Sequence, residues 1–280
     1  MEGRWWPAPA KINLFLHITG RRADGYHELQ TVFQFIDLGD RLRFTPRTDG
    51  RILRLRGAEG VPEEDDLVVR AARILREETG CRAGVAIEVE KNIPQGGGLG
   101  GGSSDAATTL LLLNRIWGLG LGMDELARLG LRLGADVPVF VHGHAAWAEG
   151  VGERLQPLEP ATPFYLLLHP GCEVATAGIF GAPELTRDTP PLKIADFLRG
   201  GGRNDCEPVV RARYPQVDEA MRWLEASGEP RLTGTGACIY AAFEEEHQAR
   251  QVAARVPEQW RAWVVRGLNR SPLHELLESV

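Results

Sequence analysis

The chain is 280 residues long, enough for one large domain or two medium ones, and a unit of about 300 residues buries roughly 75% of its unfolded surface without needing staples. Hydrophobic residues make up 43% and charged residues 25%, as in an ordinary globular protein, and the formal net charge of -6 argues against a nucleic-acid or membrane-surface partner. No run approaches the roughly 18 apolar residues of a membrane-spanning helix, and the N-terminus lacks the basic and apolar regions of a signal peptide.

In chain order, AKINLFLHI (10–18) alternates as a strand, with Lys11, Asn13, Phe15 and His17 on one face and Ala10, Ile12, Leu14 and Leu16 on the other. The turn signal ADGY (23–26) precedes TVFQFIDL (31–38), a second strand closed by Gly39-Asp40. RLRF and RILRLR read as further strands on either side of TDG (48–50). From Asp66 to Thr79 the pattern is helical, with Leu67, Ala71, Ile74 and Leu75 on one face and Gly80 as the stop. VAIEVEK (85–91) alternates as a half-buried strand and leads into PQGGGLGGGSSDAA (94–107).

The apolar stretch SSDAATTLLLLNRIWGL then reads as a helix opened by a serine cap with an acidic first turn. A further helix starts at Asp124 as cap and stops at Gly134, and DVPVFVHG follows as loop and strand. The apolar strand FYLLLH opens a second domain, so the expected division is 1–156 and 157–280. It contains the loops TRDTPP and RGGGRND, and LTGTGACIYAAF (232–243) as a loop followed by a strand. Strands and helices mix without strict alternation, which predicts an α+β fold rather than a doubly wound sheet. Cys81, Cys172, Cys206 and Cys238 form no C-x-x-C and no zinc spacing, so reduced thiols in a cytoplasmic protein are expected.

A strand, a glycine-rich loop and a helix N-terminus make an anion site. Glycines let the backbone approach a ligand, and convergent N–H groups and the helix dipole favour phosphate. There is no G-x-x-x-x-G-K-[ST], so the loop is not a Walker A loop. Gly96, Gly98 and Gly101 formally satisfy G-x-G-x-x-G, but the second strand and acidic residue of a dinucleotide fold are missing. The H-R-D and D-F-G segments of a protein kinase are absent too.

The glycine loop, with PAPAKINLFL before it and LTGTGACIY after it, resembles the GHMP kinases, named for galactokinase, homoserine kinase, mevalonate kinase and phosphomevalonate kinase. RADGYHEL, LGADVPVFVHG and NDCE are similar to the branch that phosphorylates a hydroxyl, at the 2-position, of a cytidine-diphosphate-linked methylerythritol in non-mevalonate isoprenoid synthesis. The resemblance runs from Pro9 to about His274. It implies a two-domain fold with the active site in the cleft between domains, ATP and Mg²⁺ as cofactors, small-molecule substrates, and a monomer or homodimer. It leaves the protein ligands of Mg²⁺ open.

By resemblance, Asp136 is the catalytic base and Lys11 the cation beside it, although a lone aspartate after a helix stop or a lone lysine on a strand is ordinarily only a solvated side chain. Pro94, Gly96, Gly97, Gly98, Leu99, Gly100, Gly101, Gly102, Ser103 and Ser104 would hold ATP. Asn13 would bond the polyol or phosphate of the acceptor, Tyr26 would stack on the cytosine, and His27 would read its edge. Phe180 would close over the base from the other domain. Phe33, more simply a core residue, and the Thr235-Gly236 turn complete the expected substrate site. His142 and His144 form a lone H-x-H and read as structural. The rivals are a GHMP kinase for a smaller acceptor, a nucleotide-binding regulator without catalysis, and a dinucleotide-dependent oxidoreductase. The GYH segment disfavours the first, the presence of both Lys11 and Asp136 the second, and the missing dinucleotide context the third.

Overall fold

The structure is a computed structural model and describes residues 3–23 and 25–279. The expected ADGY turn includes Asp24, which lies outside the described residues. The chain begins with two long antiparallel strands, β1 (Trp5–Arg21) and β2 (His27–Arg47), paired from Trp5↔Arg43 to Arg21↔His27. The first half continues with β3 (Ile52–Arg56), α1 (Leu67–Thr79), β4 (Gly84–Glu90), α2 (Gly101–Ile116), α3 (Met123–Leu131), α4 (Val137–His142), β5 (Ala146–Gly150) and β6 (Arg154–Pro157). The second half holds β7 (Phe164–His169), α5 (Thr176–Phe180), α6 (Ile194–Leu198), α7 (Glu207–Arg213), α8 (Pro215–Glu225), β8 (Arg231–Leu232), β9 (Ile239–Phe243), α9 (Glu246–Ala253), β10 (Arg261–Leu268) and α10 (Pro272–Glu278).

The strands join in the order β3-β4-β2-β10-β7-β9-β8, with β1 and β5 also on β2 and β6 on β5. The seam between the halves is short, for β10 meets β2 only at Gly267↔Ile36 and Leu268↔Phe35. One apolar core packs α1–α4 on the β1–β2–β4 sheet and includes Leu273 and Leu277 of α10. A second gathers α5 and α7–α9 against β7 and β9 and takes in Leu16 and Ile18 from the end of β1.

Four local expectations change. Gly39-Asp40 does not close a strand, because β2 runs through it and RLRF is its continuation. A side chain at Gly39 would lie 2.8 Å from the Ala8 carbonyl oxygen, so the glycine marks close strand approach. RILRLR becomes β3, which pairs in parallel with β4 after the α1 crossover and not with β2.

The serines do not cap α2. The helix starts at Gly101, behind Gly100 in the left-handed region (φ 71°), with no acidic residue in its first turn. The α3 cap is Gly122, whose N–H donates to Glu125 Oε2 (2.9 Å), and Asp124 lies within the first turn. DVPVFVHG is helical: Pro138 stands in the first turn of α4 and Gly143 ends it at φ 71°. Its β-branched residues suggested a strand, but all of Val137, Pro138, Val139, Phe140 and Val141 are buried, and packing overrides a weak local preference. The Gly80 stop of α1 is as expected, and Asp66, read as the first helical residue, is its N-cap.

Candidate active site

Lys11 and Asn13 lie two residues apart on β1 and so face the same way. Lys11 is only 3% exposed. Its Nζ donates to Asn13 Oδ1 (2.6 Å) and to the Gly98 carbonyl (3.0 Å), and lies 3.2 Å from Asp136 Oδ2. It also sits 5.3 Å from the Phe33 ring centroid, a cation–π contact. Asp136, at the N-cap of α4, makes no side-chain cap bond and its side chain is 32% exposed. Thus the carboxylate reaches the cleft while the ammonium is held from behind. Asn13 is itself fixed, since its Nδ2 donates to Thr31 Oγ1 (2.9 Å).

The glycine loop owes its shape to crowding as well as to ligand access. Gly96, Gly98 and Gly100 have φ of 64°, 72° and 71°. The Ala237 and Cys238 amides donate to the carbonyls of Gly96 (2.9 Å) and Gly97 (3.2 Å), and the Lys11 amide donates to that of Leu99 (3.0 Å). A Cβ on Gly98 would collide with the Thr233 carbonyl oxygen, and one on Gly100 would sit 3.0 Å from the Phe140 ring. The loop is therefore pressed between the 233–238 turn and the Lys11–Phe140 wall. It delivers α2 with the N–H groups of Gly101, Gly102 and Ser103 free of intrahelical bonds.

Beneath the loop, the Lys91 ammonium bridges the carboxylates of Asp40 and Asp105, at 2.7 Å from the latter. Asp105 Oδ1 is buried without a partner. Burial pushes the Asp105 carboxyl up to about 8, against the pull of Lys91.

A cleft of about 780 Å³ contains Lys11, Asn13, Phe33, Gly98, Gly100, Ser103 and Asp136 together with Tyr26, His27, Phe180 and Thr235. Tyr26 is 63% exposed at its mouth. The rings of His27 and Phe180 stack at 5.1 Å between centroids, 30° apart. Thr235 and Thr176 share a hydrogen bond of 2.9 Å. Burial, then Arg187, then Arg21 lower the His27 pKa. On the other side of the loop, a cavity of about 280 Å³ is lined by residues 94–102 with Val61, Leu67, Ile93, Lys91 and Asp105. Gly236 lines neither space, and Ser104 is buried, its Oγ donating to the Pro9 carbonyl (2.7 Å).

Residues 66–144 match the family described as GHMP kinases N terminal domain, and residues 186–262 match GHMP kinases C terminal. A 4-diphosphocytidyl-2-C-methyl-D-erythritol kinase from Alkalilimnicola ehrlichii is 58% identical over 270 residues, covering 96% of this chain and 93% of its own. One from Halorhodospira halophila is 56% identical, with 96% and 94% covered. The chain belongs to the GHMP kinases, in the 4-diphosphocytidyl-2-C-methyl-D-erythritol kinase branch.

A solved 4-(cytidine 5'-diphospho)-2C-methyl-D-erythritol kinase superposes on this GHMP kinase with a TM-score of 0.82 at 36% identity, covering 94% of this chain and 99% of that one. The mevalonate kinase of Methanococcus jannaschii, at 16% identity and a TM-score of 0.71, shares the fold. The expected two-domain α+β architecture is thus that of the family.

Sequence reasoning missed several groups in and around the cleft. Thr31 and Thr176 gave no signal, being ordinary polar residues in a strand and near a loop, and Arg187 was hidden in the loop TRDTPP. The Lys91–Asp40–Asp105 cluster joins residues up to 65 apart, and only the aspartate directly after Ser103-Ser104 could have hinted at it. Among the described residues, no group of three or more His, Cys, Asp or Glu could hold a metal ion, and no helix is long and apolar enough to cross a membrane. The four cysteines are free thiols.

Proposed function

We propose that this GHMP kinase transfers the γ-phosphoryl group of ATP to the 2-hydroxyl of 4-diphosphocytidyl-2-C-methyl-D-erythritol, with Lys11 and Asp136 as the catalytic residues. The observation that carries the reading is that one cleft holds both the Lys11–Asp136 pair against the glycine loop and the stacked His27–Phe180 rings beside Tyr26. The first set suits phosphoryl transfer, and the second suits a flat base on the acceptor.

In this mechanism the acceptor oxygen bonds to the γ-phosphorus and its proton passes to Asp136. The bond from that phosphorus to the bridging oxygen breaks and ADP leaves. Lys11, held by Asn13 and the Gly98 carbonyl, keeps its charge at the transferring group. The N–H groups of Gly101, Gly102 and Ser103 receive phosphate oxygens, and the adenine lies in the smaller cavity, whose walls Val61, Leu67 and Ile93 are apolar. Tyr26 and Phe180 flank the cytosine, with His27 at its edge. Asn13, Phe33 and Thr235 shape the polyol site. Domains of 1–156 and 157–280 belong to the same proposal.

Ser103 lines the cleft with a hydroxyl, a hard oxygen donor that suits Mg²⁺ carried in on the ATP phosphates. Ser103 Oγ would hold it, and it would neutralise charge on the phosphate oxygens. ADP release from ATP and Mg²⁺, measured with the cytidine acceptor, galactose, homoserine and mevalonate, tests the proposal. Release with the cytidine compound alone is expected, and release with another acceptor would overturn the base site.

A further inference from the structure

Arg187 joins the two halves of the acceptor pocket. Its Nε donates to His27 Nε2 (3.1 Å), at the start of β2. One terminal nitrogen donates to the carbonyls of Phe180 (3.0 Å) and Ala182 (2.6 Å), and the other to that of Leu185 (2.9 Å). Those carbonyls end α5 and begin the loop after it. Among the described residues no carboxylate pairs with this guanidinium, so all of these bonds go to neutral acceptors.

The bond to His27 has a chemical consequence. A guanidinium only donates, so Nε2 must present its lone pair, and the neutral imidazole carries its proton on Nδ1. Nδ1 makes no hydrogen bond to a described residue, which leaves one N–H donor for a ligand. The charges acting on His27 are Arg187, from the loop after α5, and Arg21, at the end of β1, and both oppose a second proton. The same guanidinium fixes the Phe180 backbone, whose ring stacks on His27.

We propose that Arg187 is the positioning residue that sets base specificity: by bonding His27 Nε2 and the Phe180 carbonyl, it locks His27 in the Nδ1–H tautomer against the aromatic wall of the cleft. A fixed donor favours a pyrimidine edge with acceptors at both O2 and N3, as cytosine has, over uracil, whose N3 carries a proton. This rests on the reading of the cleft as a cytidine site.

The test combines nitrogen NMR of the His27 imidazole, without substrate, and steady-state kinetics of Arg187→Met and Arg187→Lys with cytidine- and uridine-linked acceptors. In the wild type the spectrum should show the proton on Nδ1 alone, and in Arg187→Met a mixture of tautomers. Arg187→Met should raise KM for the cytidine acceptor about tenfold at about pH 8, narrow its preference over the uridine acceptor, and leave kcat and KM for ATP within about twofold. At about pH 5.5 the KM defect should shrink, because a doubly protonated imidazole carries the Nδ1 proton whatever stands beside it. Arg187→Lys, which keeps a cationic donor, should recover part of the affinity.

A wild-type proton on Nε2, a KM defect equal at both pH values, or a loss confined to kcat would each overturn the proposal. If Arg187→Met does not fold, the wild-type spectrum and Arg187→Lys still decide it. Failure of the wild type to use the cytidine acceptor would instead remove the functional reading, while the spectrum would still decide the coupling of Arg187 to His27.

Discussion

At Asp136 the carboxylate proposed as the base is exposed enough to meet a substrate, whereas its partner Lys11 is almost wholly buried. The asymmetry suits a base that must receive a proton beside a charge that must not move. Asp136→Asn keeps shape and hydrogen-bonding reach but cannot take the proton. It should lower kcat by about 10²–10⁴-fold while ATP binding, measured by calorimetry, stays near the wild-type value. Turnover near the wild-type rate would remove Asp136 from the mechanism. Tyr26 stands exposed at the cleft mouth, where its ring can meet a flat base. Tyr26→Ala should raise KM for the cytidine acceptor by about tenfold, from a lost stacking contact of about 1–3 kcal/mol. An unchanged KM would make it a surface residue only.

The glycine loop and the helix it starts behave as one element, braced from three sides. Gly98→Ala would place a methyl against the Thr233 carbonyl in a backbone conformation that L-residues avoid, at φ 72°. A loss of about 2 kcal/mol or more in unfolding free energy is expected, together with weaker ATP binding. Full stability in urea unfolding would mean the loop can shift freely. The cluster under the loop adds a pH dependence. The folded Asp105 carboxyl is raised to about 8, whereas an unfolded aspartate titrates at about 4. Between these values the folded chain holds a proton that the unfolded chain has released, so this group makes stability fall as pH rises. Asp105→Asn removes that contribution, and the variant should lose less stability than the wild type between about pH 5 and pH 8. Equal losses would assign the slope to another group.

Across the whole molecule, the chain ends tie the two cores to each other. The end of β1 enters the core of the second half, and α10 returns to the core of the first through Leu273 and Leu277. The direct sheet seam is only two residue pairs long, so this interleaving contributes to holding the cleft walls in place. Leu273 is 2% exposed, and Leu273→Ala should cost about 2–5 kcal/mol. If differential scanning calorimetry instead finds an unchanged transition, α10 is a detachable appendage and the cleft is held by other contacts.

The cleft residues were legible where chemistry is local to a motif. The alternation of β1 set Lys11 and Asn13 on one side, Gly80 marked the end of α1, and the glycine run marked the loop before α2. The GHMP resemblance was legible for the same reason, since its motifs are short and carry backbone geometry in their glycines. What was misread had a long-range cause. Gly39 is a site of close strand approach, not a strand end, because Ala8 lies against it. DVPVFVHG is a helix because every residue from Val137 to Val141 finds a place in the core. The sequence by itself determined the α+β class, the glycine loop ahead of a helix and the resemblance to the GHMP kinases. Only the tertiary structure decided the bracing of that loop by the 233–238 turn, the Lys91 cluster beneath it and the Arg187–His27 bond. Each of these joins groups far apart in the chain, and residue order carries no distance between them until the core has packed.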